Sequence, residues 1–567
     1  MEIKYTYSTP DREVLQRLQK ALDCHPVIAR LLADRGLTTV DEAKFFLNPD
    51  YSRLSNPFEL KDMDKAVARI HTAVSNKEKI LIFGDFDADG VTATAMLYQF
   101  LSLVEADLSW YVPHRTKEGY SLQLPHIEMA VSMDVDLIIT VDCGISSHEA
   151  VQAAVREDID IIITDHHEPD ATIPKAVAVI NPKQTDCNAC LEYLAGVGVA
   201  FYLIMGLRKA FRDNGVWEHF PEPKLSEYLD LFTIGTIGDM VPLVEDNRVL
   251  CVAGMKRIRM GLRPALVSMA RTSRVDLDRL DSDDISFKIV PRLNAAGRIS
   301  HARICVSHLT CPAPAQTETT AVLLDELNRK RQLIEKEIVE DIERRIASDP
   351  SILENRLIVL WDSKWEASVL GIAASRLARK HVCPVVLLNS KDDIAKGSCR
   401  SINQINIHEI LSNIRDLLET FGGHAMAAGL SVKKENLTAL KPALTEILAS
   451  VCTEKDFKPV RKIDAVIEIA DITPELVRQI DLLRPFGTGN PEPVFLMENM
   501  WVTSSIIIGG CHRKMTLRDQ SGEHEVEALH FNLTDTTNLP EFFPKLMVKL
   551  RLDRFKQNHV QVIVQDM

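Results

Sequence analysis

The chain has 567 residues, too many for one hydrophobic core, and at ~150 residues per domain it predicts three or four domains. Hydrophobic residues at 46% and charged residues at 26% exclude wholesale disorder, and no run of 18 apolar residues offers a bilayer-spanning helix. The formal net charge of −14 argues against a protein held on nucleic acid by bulk charge, but leaves room for a local basic groove or an acidic site made attractive to phosphate by metal. An odd number of cysteines, 11, and a start without the basic-then-apolar layout of a signal peptide lead to the expectation of a reducing, cytoplasmic location.

In chain order, the first fifty residues read as short helices with polar turns. LLADRGLTTVDEAKFFLNP carries a Gly stop and then a Thr-Thr start with Asp and Glu in the first turn. From Lys79 to about Ile299 short apolar runs alternate with helical stretches, which predicts βαβ units and a parallel sheet. The runs KILIF (79–83), DLIIT (136–140) and DIIIT (160–164) lack alternation, as suits strands buried on both faces, and a carboxylate soon follows each. ELNRKRQLIEKEIVEDIERRIA, free of Gly and Pro, predicts one long helix joining two lobes, its 327–335 stretch solvated by default. A second α/β pattern follows in RLIVLW (356–361), a helix near 370–380, PVVLL (384–388) and FGGHAMAAG (421–429). After Lys458 short alternating segments such as AVIEI, WVTSSIIIG and VQVIV predict a small barrel. The expected fold class is α/β, with a helical N-terminal segment (1–50), a catalytic α/β lobe (51–305), a connecting helix (306–349), a second α/β lobe (350–457) and a C-terminal β domain (458–567).

FGDFDADG (83–90) sets Asp85, Asp87 and Asp89 at alternate positions directly after a strand, with Gly84 and Gly90 freeing the backbone to turn. Three carboxylates this close repel one another unless a cation neutralises them, and hard divalent metals prefer oxygen ligands. A calcium loop of the D-x-D-x-D-G kind would need a Glu where Met96 stands. VDCGIS (141–146) adds Asp142, ITDHHEP (163–169) adds Asp165, His166 and His167, and TIGTIGDMVPL (233–243) adds Asp239. One such Asp alone reads as a cap or an ion-pair partner. Four clusters at successive junctions, with ligands of doubly wound sheets binding at the strands' carboxyl ends, predict a single dinuclear centre. Asp and His without paired thiolates suit manganese or magnesium better than zinc. Two metals ~3.5–4 Å apart can clamp an in-line displacement at phosphorus, with Asp142 as the candidate bridge. The predicted chemistry is metal-assisted hydrolysis of a phosphate ester. Arg292, Asn294 and Arg298, in a polar cluster with Pro291 and Gly297 beside its arginines, are expected to contact a phosphate backbone.

FDADG, VDCG, TDHHEP and GTIGDMVPL together resemble the DHH phosphoesterase superfamily, whose name is the triplet Asp165-His166-His167. PRLNAAGRI (291–299), LNRKRQLIE (327–335), GIAASRLA (371–378), KGSCRS (396–401), FGGHAMAAG (421–429) and RPFGTGNPEPVF (484–495) are similar to its RecJ branch of single-strand-specific exonucleases, as is the amino-terminal HPVIARLLADRGLTTVDEAKFFLNP. The resemblance implies DHH and DHHA1 lobes followed by an OB-like barrel, and Asp85, Asp87, Asp142, His166 and Asp239 as ligands of two Mn²⁺ ions, with Mg²⁺ as the alternative. Asp89 matches the same motif from behind the ligands, and His167 matches an acid or electrostatic stabiliser near the scissile phosphate. Ser398, Arg400, Ser401, Gly423 and His424 match substrate loops of the second lobe, where Arg400 and His424 would grip the terminal nucleotide. Arg115 and Tyr120 in PHRTKEGYS match DNA contacts. Ser368 and Cys399 depart from the pattern, each standing where the family has Gly.

The implied activity is 5′→3′ hydrolysis of single-stranded DNA to mononucleotides in repair and recombination. Single-stranded DNA is then the substrate, with a single-strand-binding protein and repair or recombination helicases as recruiting partners and no membrane. A small-substrate phosphoesterase is the alternative within the superfamily, and a scaffold that lost its site is the non-enzyme alternative. From Asp456 on there are 13 basic and 16 acidic residues, so DNA contacts there rest on local groups: Lys545, Lys549, Arg551, Arg554 and Lys556 with Phe555, and His512-Arg513-Lys514. Cys187 and Cys190, a lone CxxC, are expected to pack structurally.

Overall fold

The computed structural model describes residues 4–402, 404–533, 536–537, 539–553, 556 and 558–565. The chain divides into two compact units, one taking residues 56–239 and 254–459, the other residues 3–55, 240–253 and 460–567.

In the first unit, strands Asp107–Tyr111, Lys79–Gly84, Leu137–Val141, Asp160–Thr164 and Ala178–Ile180 lie side by side in that order, all parallel. Numbered along the chain the order is 2-1-3-4-5, so it reverses between Lys79–Gly84 and Leu137–Val141, where such sheets open a crevice. Branched and aliphatic side chains fill both faces, and Leu137–Val141 is buried end to end. Leu81, Phe83, Ile138, Ile161 and Ile163 pack on helices Leu124–Ser132 and His148–Arg156. Helices Ala88–Ser102 and Gly196–Asp213 pack on each other and cover the opposite face. The strands end in step, Gly84 opposite Val141, Val141 opposite Thr164 and Thr164 opposite Ile180. Asp85, Asp142 and Asp165, the next residue of three of these strands, therefore stand in a row along one edge.

The helix Pro314–Ser348 has 35 residues and at 1.5 Å per residue is about 52 Å long. Ile338, Ile342 and Ile346 bury one end of it against helix Leu370–His381 and a second sheet. Its 327–335 stretch departs from the solvated reading. Asn328 and Arg331 are buried, with Arg331 donating to Asn328 Oδ1 (2.6 Å) and Glu335 (2.7 Å). A charged pattern conceals such pairing because burial of each group depends on partners a turn away. The second sheet runs Thr420–His424, Ala427–Lys433, Ile394–Arg400, Val385–Asn389 and Ile358–Asp362, parallel only in its last pair.

In the second unit, Phe495–Ile508, His512–Arg518, Glu525–His530, Val560–Val564 and Phe542–Leu552 form a sheet that closes when the last strand pairs with the first. This five-stranded closed barrel matches the predicted small β domain. Two features were not anticipated. Helix Pro474–Asp481 interrupts the β pattern, started by the Thr473 hydroxyl accepting from the Leu476 amide and by Pro474 at its first turn. The N-terminal helices are also no separate segment. Leu18, Leu31 and Leu32 share one core with Met497, Leu517, Leu546 and Val562, and strand Lys4–Tyr7 pairs in parallel with Val460–Ile463. No helix among the described residues is long and apolar enough to cross a membrane.

Candidate metal centre

The edge of the parallel sheet gathers its carboxylates through backbone geometry. Asp142 adopts φ 63°, a left-handed conformation that turns the chain just beyond the strand, and its amide still donates to Thr164 O (3.0 Å). Gly196 lies so close that a Cβ there would come within 2.4 Å of Asp142 Oδ1, so only glycine fits. Asp87 caps helix Ala88–Ser102, its Oδ1 accepting from the amides of Asp89 (3.0 Å) and Gly90 (3.1 Å). The positive end of that helix thus faces the acidic loop. Asp89 accepts from the amides of Gly196 (2.6 Å) and Val197 (2.8 Å), which spends its oxygens on pinning a second helix start to the site.

Three groups of side chains could each hold a cation: Asp85, Asp87 and Asp142; Asp142, His166 and His167; and Asp89, His166 and Asp239. His166 Nε2 lies 3.2 Å from Asp142 Oδ1, 3.7 Å from Asp239 and 3.8 Å from Asp89. The five ligands implied by the resemblance, Asp85, Asp87, Asp142, His166 and Asp239, are thus brought together, with Asp142 shared between groups. Burial and mutual repulsion raise the carboxyl groups of Asp85, Asp89, Asp142 and Asp239. Desolvation and the Asp87 charge hold Asp85 well above the usual range, and desolvation and Asp89 do the same to Asp142. By the same causes Asp89 is pushed up to about 7 and Asp239 to about 8, while burial takes His166 down to about 3. Asp85 Oδ1, Asp142 Oδ1 and His166 Nε2 are buried with no hydrogen-bond partner. Orphaned oxygen and imidazole donors around one point are what divalent cations such as Mn²⁺ or Mg²⁺ fit.

Asp165 is not among these groups. Its Oδ1 accepts from the amides of His166 (2.7 Å) and His167 (3.1 Å) and from His167 Nδ1 (2.8 Å), and its Oδ2 accepts from the Ile145 amide. Burial opposes charge on His167, but the Asp165 hydrogen bond and the surrounding carboxylates outweigh it and raise the ring to about 9. Asn181, unremarked in the sequence, donates to His167 O (2.9 Å) and fixes the same turn. The Tyr120 hydroxyl lies 3.1 Å from His167 Nδ1, which places Tyr120 over the centre.

The polar stretch 291–299 divides. Arg292 is taken up by Asp325 (2.7 and 3.1 Å) and by Lys288 O, so its guanidinium braces two helices rather than facing the centre. Asn294 accepts from the Ala88 amide (2.7 Å) and so holds the acidic loop. Arg298 donates to Ser368 O (2.6 Å), but its buried Nε has no partner. Burial and the positive charges of Arg115, Arg400 and Arg331 bring Arg298 down to about 9. These four arginines crowd one another, an arrangement that an anion would relieve. Arg331 escaped the sequence reading, and its only signal is an Arg at helical spacing from buried positions. Arg115 stacks over Phe86, 4.6 Å from the ring centre.

In the second lobe Ala427 pairs with Arg400 on one side and His424 on the other, which brings these two to the same end of the sheet. His424 is exposed, Ser398 half-buried, and Arg400 donates to Ser375 Oγ (3.1 Å) and Cys399 O (2.7 Å). Ser401 is buried, its hydroxyl donating to Ile405 O (2.7 Å), which makes it a loop brace. Gly423 has φ 137° and backbone of Ala427 and Ala428 against it, so glycine is required there for packing as well. Neither departure from the family pattern reaches the arginines with its side chain: Cys399 points into the core, and Ser368 uses its carbonyl.

The basic groups expected to bind DNA on the barrel are largely spent. Lys549 and Arg551 both pair with Glu492 (2.8 Å), Arg513 is buried on Ser505 and Pro540 O, and Lys514 pairs with Glu527. Lys545 lies over the Tyr5 ring, and Arg554 and Phe555 fall outside the described residues. An exposed Trp501 against Phe542, ring centres 4.5 Å apart, is the aromatic surface that the charge count overlooked. Cys187 and Cys190 are free thiols, half-buried and exposed respectively.

Comparison with known proteins agrees with this layout. Residues 79–236 match the DHH family N-terminal domain, residues 354–450 the DHHA1 domain and residues 463–566 the RecJ OB domain. The chain is 34% identical over 557 residues to the single-stranded-DNA-specific exonuclease RecJ of Haemophilus influenzae, covering 95% of this chain and 96% of that one. It is 36% identical over 535 residues to the protein of that name from Bacillus subtilis, covering 94% of this chain but only 66% of the longer relative. Among solved structures it is similar to Thermus thermophilus RecJ in complex with Mn²⁺, with TM-score 0.83, 28% identity, and 100% and 79% of the two chains covered. The Mg²⁺ complex of that protein superposes with TM-score 0.77 at 26% identity, covering 100% of this chain and 78% of that one.

Proposed function

The chain belongs to the RecJ family of single-stranded-DNA-specific exonucleases, and from that premise we propose that it degrades single-stranded DNA from the 5′ end to mononucleotides. The observation that carries this reading is the meeting of orphaned donors on Asp85, Asp142 and His166 with a crowded arginine group around Arg298. One arrangement suits divalent cations, the other suits a phosphate, and the two are close enough that the Asp87 charge acts on both Arg115 and Arg298.

Asp85, Asp87, Asp142, His166 and Asp239 would hold two cations, Mn²⁺ or Mg²⁺. Bound there, the cations supply Lewis acidity toward water and toward the oxygen that leaves phosphorus. The protein's own groups do the rest. Arg298 and Arg400, with Arg115 beside them, neutralise the terminal phosphate and set which phosphodiester lies over the carboxylates. His167, kept protonated and aimed by Asp165, donates to the scissile phosphate and stabilises its growing charge. Asp89 and Asn294 carry no chemistry but fix the acidic loop on two helix starts. Repair and recombination are the processes that consume such an activity.

The test is a Mn²⁺-dependent digestion of single strands labelled at either end, beside matched duplex. Mononucleotides released first from the 5′ label, with duplex spared, are the expected result. Release from the 3′ label first, or equal attack on duplex, would overturn the reading.

A further inference from the structure

A cavity of about 460 Å³ opens in the first unit between the end of helix Ala88–Ser102, the turn before helix Leu229–Gly238, the end of helix Arg303–Thr310 and the loop at Leu262. Its size is that of a small-ligand pocket. It lies far from the cation centre. Asp87 caps the start of helix Ala88–Ser102, whereas Tyr98, Gln99 and Ser102 line the cavity from its other end, roughly 16–22 Å further along the axis. Nothing in the mechanism above uses it.

Two of its lining arginines converge on one buried carboxylate, Asp230. Arg263 takes both oxygens, Nε on Oδ2 at 2.8 Å and Nη2 on Oδ1 at 3.0 Å, and donates also to Gln99 Oε1 (3.0 Å) and Leu309 O (3.1 Å). Arg257 comes second: its Nε stands 3.7 Å from Asp230, beyond a hydrogen bond, and is buried without a partner. Gln99 spends its oxygen on Arg263, and its amide nitrogen has no partner among the described residues. Unpaired donors on two different elements thus line one cavity, which calls for an acceptor between them. The positive charges of Arg257 and Arg263 are matched by Asp230 and by Glu227, exposed at the rim. That balance accommodates one small anionic group and disfavours a polyanion. A guanidinium fork suits phosphate, and beside it the half-buried Tyr98 ring with Leu103, Leu262 and Pro312 makes a bed for a flat apolar body.

We propose that this cavity is a second, non-catalytic site that binds a nucleoside monophosphate, its phosphate held by Arg257 and Gln99 and its base laid against Tyr98. Any of the bases serves, because a π-face is common to all. The ligand class follows from the cavity alone, and it coincides with the class of product proposed above.

The experiment is a calorimetric titration of the full-length, metal-free protein with thymidine 5′-monophosphate, in the presence of saturating 5′-phosphorylated oligothymidylate. The oligonucleotide fills the arginine group around Arg298 and, without metal, is not consumed. One thymidine monophosphate is expected to bind each chain, with thymidine, inorganic phosphate and thymidine triphosphate each weaker by about tenfold or more. Arg257→Gln removes the fork while Asp230 keeps Arg263, and should weaken binding about tenfold or more. Leu262→Trp fills the cavity from a position 57% exposed, leaves the arginines alone, and should weaken it as much, which keeps the test sound should Arg257→Gln fail to fold. Both variants should digest DNA at the wild-type rate. No binding beside the oligonucleotide, or binding that Leu262→Trp leaves unchanged, would overturn the proposal. Phosphate or the triphosphate binding as tightly as the monophosphate would overturn the ligand class. None of these outcomes bears on the exonuclease reading, since no hydrolysis is measured in the titration.

Discussion

In the parallel sheet Asp85, Asp142 and Asp165 each follow a strand directly, whereas in the mixed sheet Arg400 and His424 meet only because both are in register with Ala427. The first arrangement concentrates like charge, with the Asp85 and Asp142 carboxyl groups raised and an oxygen of each left without a partner; the second presents a half-buried guanidinium and an exposed imidazole. The difference teaches that the strand ends of one sheet are built to need a cation, while an anion is drawn by arginines assembled from both lobes, Arg115 and Arg298 from one and Arg400 from the other. Each half can be removed separately, with different signatures.

The largest effect is expected from Asp142→Asn, which keeps the left-handed backbone that Asn tolerates but removes a shared donor. Turnover should fall about 10³-fold, as several kcal/mol of charge stabilisation are lost. The melting temperature of the metal-free protein should rise, because one of several crowded carboxylates is gone, and its increase on adding Mn²⁺ should shrink. A variant as active as the wild type would break the comparison. Arg400→Ala, on the anion side, should cost about 10²-fold in kcat/KM, chiefly through KM, with the Mn²⁺-induced melting shift intact. Equilibrium DNA binding and a thermal melt together separate the two.

Asp165→Asn tests a residue that serves the acidic edge without belonging to its cation-holding groups. Losing the carboxylate that orients His167 should lower turnover some 10–100-fold and drop the His167 ring from about 9, which NMR titration of that ring would follow. The smallest effect concerns pH. Asp89 and Asp239, at about 7 and about 8 when folded, lie above their ordinary carboxylate range, so the folded metal-free protein binds more protons than the unfolded chain between about pH 4 and 8. Its stability should therefore fall as pH rises through that window, by a few degrees between pH 6 and 8 in a thermal melt. Mn²⁺ should flatten the slope, and a slope of opposite sign would show that these carboxyl groups are not raised.

What the sequence revealed follows the same division. The acidic edge was legible because Asp85, Asp142 and Asp165 each come within two residues of a run rich in Ile and Leu, and strand register then does the assembly. Arg292 and Arg298 were indistinguishable in PRLNAAGRI, since what separates them is Asp325 on another helix for one and a carbonyl of the second lobe for the other. Arg331 was hidden in a helix that looks solvated, and the barrel's cations looked available because Glu492 lies far from Arg551 along the chain. Local patterns name the groups; long-range pairing decides which stay free.

The shared core of the second unit has a consequence for how the protein is made. Leu18, Leu31 and Leu32 have neighbours nearby in Ile28, Ala29 and Ala43, but the rest of their core, residues such as Met497 and Val562, comes more than 450 positions later. At a synthesis rate of about 5–20 residues per second, these leucines remain only partly covered for roughly half a minute or longer while the first unit is made between them. The nascent N-terminus benefits from shelter during that interval, and a message truncated before the barrel leaves this apolar face of the N-terminal helices without its cover.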